Sequence, residues 1–318
     1  MCCKKVLLGL ETFMPRITDE TLTFQRIYES PIVSIRNYDC RACLGGSKGE
    51  EYSNTNDIVL IRSGVFRKHL QRNSMTVDVN QAAFFSRGTA YHVSHPTDRG
   101  DRGTVFTLDS RTLNDMIRDH DPSVDDNSDR PFPFVTGPCD SAVFWTHLGL
   151  VQRLENAERD PLEPLWVDIT ALELMGKVIE NSFILHGRAR SRRTWTYADH
   201  VDRIESAKTI LAARIGEHLS LDEIAGAVQI SPFHFSRMFR KHTGLPLHRY
   251  LMRLRLRTSL EMLAEGVNDL TALALDLGFS SHSHFSDAFR REFGLAPSKV
   301  RLLITRRRLH EMSKNLKV

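Results

Sequence analysis

Residues 231–244 read SPFHFSRMFRKHTG, and residues 280–294 read SSHSHFSDAFRREFG. At an offset of fifty, Phe235, Ser236, Phe239, Arg240, Gly244 and Leu245 fall on Phe285, Ser286, Phe289, Arg290, Gly294 and Leu295. Further upstream the offset is 49, with Ala225 on Ala274 and Ser231 on Ser280, so the second copy carries one extra residue near His282. A chain that repeats a short amphipathic phrase at this spacing must build the same small helical unit twice.

Each copy reads as two short helices. The first opens at Ser220, with Glu223 three residues on, the pattern of a capping box. Leu221, Ile224, Ala225 and Val228 follow helical spacing, and Gln229 and Ile230 make the turn. Ser231 then caps a second helix with Pro232 at its first position, where a missing N–H costs nothing, and Gly244 stops it. Two helices joined by so short a turn form a helix-turn-helix. At 100° per residue, Phe235, Met238 and Phe239 face a core, while Phe233, Ser236, Arg237 and Arg240 face outward with His234 and Lys241 on the flank.

That outward face suits a DNA major groove. Arginine can grip guanine, a phenylalanine ring can meet a thymine methyl, and flanking Arg or Lys can hold phosphates. In the second copy Phe285, Ala288 and Phe289 face inward. Ser283, Ser286, Asp287, Arg290 and Arg291 face outward, with His282 at the helix tip. Asp287 has two readings: an i,i+4 ion pair with Arg291, or an acceptor for a cytosine amine.

Between the copies, Pro246 starts and Gly266 stops one helix with an apolar stripe at Leu247, Tyr250, Leu251, Leu254, Leu260 and Leu263. Arg249, Arg253, Arg255 and Arg257 make it strongly basic. Its length of nearly ~30 Å approaches the ~34 Å between successive major grooves on one face of DNA. One chain can therefore set two reading helices in adjacent grooves. The charge agrees: residues 1–199 hold 24 Lys+Arg against 27 Asp+Glu, and residues 200–318 hold 19 against 12. A basic half beside a mildly acidic one points to a polyanion partner, although a merely solvated basic surface has the same signature.

These residues resemble the DNA-binding domain of the AraC/XylS transcription regulators. Ile224-Ala225, Ser231-Pro232, Arg237-x-Phe239-Arg240, Gly244 and Tyr250 match its first motif. Leu273-Ala274, Gly278-Phe279, Ser283-x-Phe285, Phe289-Arg290, Gly294 and Pro297 match the second. The resemblance spans roughly 203–305. Family members often carry Arg where Asp287 stands and an aromatic residue where Val300 stands. The resemblance implies double-stranded DNA and RNA polymerase as partners, a small-molecule effector, and activation in preference to repression.

The first half is rich in short alternating or β-branched runs from about 24 to 108, such as DIVLIRSGVFRKHL and MTVDVNQAAFFSRG, with turn residues every eight to twelve positions. This predicts a small antiparallel barrel or sandwich. Helical runs follow from about 110 to 186, interrupted by DPSVDDNSDRPFPFVTGP, which reads as a loop. By position in the chain this half resembles the cupin-like, effector-binding and dimerising part of AraC-like regulators. Leu154, Val167, Leu172, Leu174, Met175 and Ile179 are candidate helix-packing residues, against a second copy or against the barrel.

The expected class is therefore α+β. An N-terminal cupin-like β-barrel with C-terminal helices occupies 1–186, followed by a linker at 187–200. An all-α domain with two helix-turn-helix motifs joined by a linker helix occupies 201–310, and a basic tail follows at 311–318.

Two constellations invite sharper chemistry. In YHVSHP, His92 and His95 are separated by two residues in place of the one usual in metal-dependent cupins, and Asp98 and Asp101 follow. On a strand the two histidines would face opposite ways. In CRAC, Cys40 and Cys43 form a lone CxxC, with Cys2 and Cys3 far upstream and no second clear pair. Neither supports a metal assignment, so no metal, cofactor or catalytic residue is expected. A metal-dependent cupin enzyme and a cysteine-based redox or metal sensor remain the alternatives. The effector-binding residues are not legible. The composition, 41% apolar and 26% charged, is that of a globular protein. No apolar run nears the ~20 residues of a membrane span. The initial VLLGL run is too short for a signal peptide, and five cysteines do not pair off, so a cytoplasmic protein with reduced thiols is expected.

Overall fold

The computed structural model describes residues 22–41, 50–71, 73–97, 100–157, 162–187 and 196–306. Two compact units emerge: Met1–Cys139 with Arg153–Arg193, and Asp140–Gln152 with Thr194–Val318. Most of the expected linker and the whole 311–318 tail lie outside the described residues.

The first unit is built on nine antiparallel strands: β1 (Leu22–Glu29), β2 (Val33–Cys40), β3 (Glu51–Tyr52), β4 (Asp57–Leu70), β5 (Asn73–Asp78), β6 (Gln81–Phe85), β7 (Ala90–Ser94), β8 (Asp101–Leu108) and β9 (Thr136–Pro138). The main path runs β1-β2-β8-β4-β6-β9. The long strand β4 changes partners along its length. Residues 57–61, 63 and 64 pair with β8 and residues 57–60 also with β6, whereas residues 65–70 pair with β5 and residues 67–69 also with β7. The β8 pairing carries an irregularity between Ile61 and Ser63, just before the partners change. The barrel expected from the sequence is not closed: among the described strands, none pairs β1 with β9. The apolar runs explain the layering, because central strands covered on both faces need no alternation. Residues 58–61 are buried throughout, and Ile35, Val77, Phe84 and Phe106 join them in the core.

The segment read as a loop carries a short 3-10 helix, Pro122–Asn127, and β9. Sequence pattern misses both because each is too short to show a period. Helix α1 (Ser110–Arg118) starts where Asp109 accepts hydrogen bonds from the Arg111 and Thr112 amides. Helix α2 spans Ser141–Glu155 and α3 spans Pro164–Gly187. Val167, Ala171, Leu174 and Val178 of α3 recur at helical spacing and are buried, as are Met175, Ile179 and Leu154 of the expected packing set, with Leu172 half-buried.

Lys68 of β4 is 2% exposed. Its Nζ donates to the Phe84 carbonyl at 2.6 Å and lies 3.6 Å from the Phe85 ring centroid. Burial pulls the amine down from 10.5 to about 7, against the opposing charge of Asp57. Between those values the unfolded chain holds a proton that the folded chain lacks, so this group makes stability rise with pH across that window. Lys68→Met is expected to flatten the rise in urea midpoint between pH 7 and pH 10. An unchanged rise in the variant would assign it elsewhere.

The second unit continues with α4 (Thr196–Ala213), α5 (Leu221–Ala227), α6 (Pro232–Thr243), α7 (Leu247–Ala264), α8 (Leu270–Asp276), α9 (His282–Phe293) and α10 (Pro297–Arg306). Helix α4 includes residues 196–200, which by sequence pattern belong to the linker. The two copies fold alike. Phe235 and Phe239 pack under α6, and Phe285 and Phe289 under α9, all fully buried. Ser220 and Glu223 form the expected capping box. Ser231 stands at the N-cap without a side-chain capping bond, while in the second copy Ser281 does make one, to the His284 amide. Gly244 and Gly294 end the two helices in the left-handed conformation.

An arginine from the helix before each copy holds its turn. Arg203 of α4 donates to the Gln229 carbonyl at 2.6 Å. Arg255 of α7 donates to the Gly278 carbonyl at 2.9 Å, and also to Ile215 at 2.8 Å and Glu217 at 2.6 Å. Both turn residues have positive φ, 55° at Gln229 and 75° at Gly278. Gln229 is exposed and tolerates a side chain there. At Gly278 a Cβ would stand 2.6 Å from Arg255 Nη2 and 2.7 Å from the Gly216 carbonyl, so only glycine fits.

Helix α7 corrects one reading. Its four arginines do not form an open basic surface. Arg257 is 0% and Arg255 7% exposed. Arg257 lies 5.0 Å from the Phe144 ring, and Arg253 pairs with Glu292 at 3.0 Å. Only Arg249 of the four is exposed.

Candidate functional sites

The outer faces of α6 and α9 carry the residues expected to read DNA. On α6, His234, Arg237, Arg240 and Lys241 are exposed and Ser236 is half-buried; the Phe233 side chain lies outside the described residues. On α9, His282, Ser283, Asp287, Arg290 and Arg291 are exposed and Ser286 is half-buried. Of the two readings of Asp287, the ion pair with Arg291 does not form. Its carboxylate lies 3.9 Å from Arg290, and Arg291 instead donates to the Asp287 main-chain carbonyl at 3.3 Å. The core sides of both helices are closed by phenylalanine, so the polar faces are those each helix leaves to solvent.

Beneath α6 lies a buried ionic group. Glu205 of α4 accepts from Lys208 at 2.8 Å and contacts His242 at 2.7 Å. Glu205 and Lys208 are wholly buried. Burial alone would raise the Glu205 carboxyl, but Lys208 and His242 outweigh it and hold it at about 2. The group ties the outward-facing helix to the helix that precedes the repeat.

The first unit contains a pocket open to solvent, lined by strands that include β1, β2, β4, β6, β7 and β8, with walls that include Phe24, Val59, Phe66, Phe85, Tyr91 and Val105. At one side Cys40, His95 and Asp101 converge, all buried. Register explains two of them: Cys40 on β2 lies directly opposite Asp101 on β8. Asp101 also faces Gly64, where φ is +83° and a Cβ would stand 2.1 Å from the Gly100 carbonyl, so the backbones approach closely there. His95 directly follows β7. Its Nε2 is 2.8 Å from Asp101 Oδ1 and 3.3 Å from Cys40 Sγ. Tyr38 donates to Asp101 Oδ2 at 2.8 Å. Burial, then the neighbouring carboxylate, pushes the Tyr38 phenol well up.

His92 takes no part. It stacks on its cross-strand neighbour His69 at 4.1 Å, and burial, His92 and Arg67 hold His69 down to about 4. Asp98 and Cys43 lie outside the described residues. Sequence pattern alone does not group Cys40 with His95 and Asp101, because strand register brings them together across more than fifty positions. The only local signal is the inward phase of Cys40 along β2.

A repeated pair of short helices on a buried aromatic base, with polar and basic outer faces, has the architecture of a helix-turn-helix unit. A family model described as a helix-turn-helix domain matches residues 203–302. RhaS of Escherichia fergusonii, an HTH-type transcriptional activator, is 37% identical over 91 residues, 29% of this chain and 33% of that protein. Regulatory protein PocR of Salmonella typhimurium is 28% identical over 102 residues, 32% and 34% of the two chains. The crystal structure of a regulator from Chromobacterium violaceum, with an AraC-type DNA-binding domain, is 29% identical with a TM-score of 0.32, covering 33% of this chain and 95% of that one. Over residues 203–302 this C-terminal unit is similar to the helix-turn-helix domains of AraC/XylS-type regulators. The chain spans about a third of the length of the curated relatives it matches.

Proposed function

We propose that the protein is a sequence-specific DNA-binding transcription regulator, with α6 and α9 reading adjacent major grooves of double-stranded DNA and the pocket of the first unit, read as cupin-like, taking a small-molecule effector. The observation that carries this is the repeat itself, which presents two polar helix faces flanking α7. At 18 residues, α7 is about 27 Å long. The relative RhaS, an HTH-type transcriptional activator, supports activation; contact with RNA polymerase is part of the same proposal. Leu165, Ile169 and Ile184 of α3 are exposed apolar residues and support pairing with a second copy. Among the described residues, no helix is long and apolar enough to cross a membrane. A cytoplasmic regulator without catalytic activity is the reading that fits. The 1–186, 187–200 and 201–310 divisions serve it as sensing, linking and DNA-binding parts.

Genome-wide mapping of bound fragments tests the reading. It should return two short sequence blocks about one helical turn apart. Arg237→Ala is expected to cost ~1–3 kcal/mol on the cognate site and to relax base preference at one position. An equal loss on random DNA would make Arg237 a phosphate contact. Arg240→Ala and Lys241→Ala should each lower the salt slope of binding by about one unit. A slope that does not move removes them from the backbone contacts.

A further inference from the structure

We infer that Cys40, His95 and Asp101 form a binding site for a divalent transition metal of the zinc class, with an open coordination position facing the apolar pocket. The inference stands whether or not the second unit binds DNA.

The geometry carries it. Cys40 Sγ and Asp101 Oδ1 both lie against the same imidazole nitrogen, His95 Nε2, at 3.3 and 2.8 Å. One ring nitrogen carries at most one proton, so it cannot donate to both. In a nucleophile–base–acid relay the thiol and the carboxylate would sit on opposite nitrogens of the ring. Here the three donor atoms converge instead, all within 4.8 Å of one another. Asp101 Oδ1 is sealed from solvent and, apart from its close contact with His95 Nε2, meets no aligned donor, while Oδ2 is engaged by Tyr38. A cation at the centre of the three would engage that oxygen, the sulfur and the ring nitrogen together, whereas one Nε2 proton can serve only one of its two neighbours. Ligands bonded at about 2.0–2.3 Å around tetrahedral zinc stand roughly 3.3–3.8 Å apart; Cys40 Sγ and His95 Nε2 already stand 3.3 Å apart, and His95 Nε2 and Asp101 Oδ1, at 2.8 Å, would part by about 0.5 Å.

Ligand chemistry selects the metal class. A sulfur and an imidazole nitrogen beside one carboxylate suit zinc, cobalt or iron(II), and exclude the all-oxygen cages of calcium and magnesium. On binding, Sγ, Nε2 and Oδ1 each form a bond to the metal, and the Cys40 proton leaves to solvent. Three protein ligands leave a fourth position for water or an effector's donor atom, unlike a closed four-ligand structural site. Tyr38 acts as a positioning residue, fixing the carboxylate through Oδ2.

The full-length protein, stripped with chelator, would be titrated with Co(II) and then Zn(II). One equivalent per chain is expected, with a thiolate-to-cobalt charge-transfer band that zinc abolishes. Cys40→Ser should lose the band. Asp101→Asn should weaken binding more than Tyr38→Phe, for which about 10–100-fold is expected. Cys43→Ser and Cys139→Ala should keep both band and affinity. Because buried substitutions can unfold a chain, a second measurement uses the wild type alone. Zinc should slow alkylation at Cys40 at least about tenfold, located by peptide mass, since a metal-bound thiolate is withheld from the reagent. The site is overturned by the absence of a tight equivalent in the wild type, by a band that survives Cys40→Ser, or by protection that falls on Cys43 and not on Cys40.

Discussion

Arg255→Met is expected to destabilise the C-terminal unit by about 3–5 kcal/mol: hydrogen bonds from a charged group contribute about 1.5–3 kcal/mol each, and three made by one guanidinium are worth less together than their sum. The guanidinium donates to the carbonyls of Ile215, Glu217 and Gly278. Methionine keeps much of the apolar stem and supplies no donor. Those carbonyls lie in two different places, the connection after α4 and the turn between α8 and α9. Arg255 therefore links the connection that leads into the first copy to the turn of the second. Urea unfolding should show the loss, and Arg249→Ala, an exposed arginine on the same helix, should stay within about 0.5 kcal/mol of wild type. A loss below about 1 kcal/mol for Arg255→Met would mean that water replaces the guanidinium freely. A DNA site with both blocks should also lose more affinity than either block alone, because only the two-block site needs the copies held in register.

Glu205→Ala is expected to have a comparable effect, about 3–5 kcal/mol, the range for removing one partner of a buried ion pair. The carboxylate is shared by Lys208 and His242, so its removal costs α4 its ionic link to α6. Replacing both Glu205 and Lys208 by apolar residues of similar size should recover much of the loss. The wild type also carries a pH signature. The folded carboxyl sits at about 2 against an ordinary 4.5. Its contribution is fully present above pH about 4.5 and is lost as the pH falls toward 2, an acid limb of about 3 kcal/mol. In Glu205→Gln that limb should flatten. A limb of undiminished depth in the variant would assign acid unfolding to other carboxylates.

The helix-turn-helix unit was legible because its determinants are local. Ser220 with Glu223, Pro232, Gly244 and the phenylalanine pairs each act within one or two turns of helix, so their spacing in the chain is their spacing in space. The burial of Phe235, Phe239, Phe285 and Phe289 follows from periodicity alone. Charge was less legible. Arg255 and Arg257 look like surface arginines on a basic helix and are buried, because only tertiary packing brings carbonyls and the Phe144 ring against them. The partner of Asp287 differs from the expected one by a single residue because (i, i+3) and (i, i+4) neighbours are both in reach on a helix.

By itself, the sequence determined that one unit is built twice, where its helices begin and stop, and which faces turn inward, since these are short-range steric and capping effects. Tertiary structure alone decided that the β sheet stays open, that two arginines clamp the turns, and that Cys40, His95 and Asp101 meet. Those outcomes depend on strand register and helix packing across tens of residues, where a shift of one position would send each side chain to the opposite face.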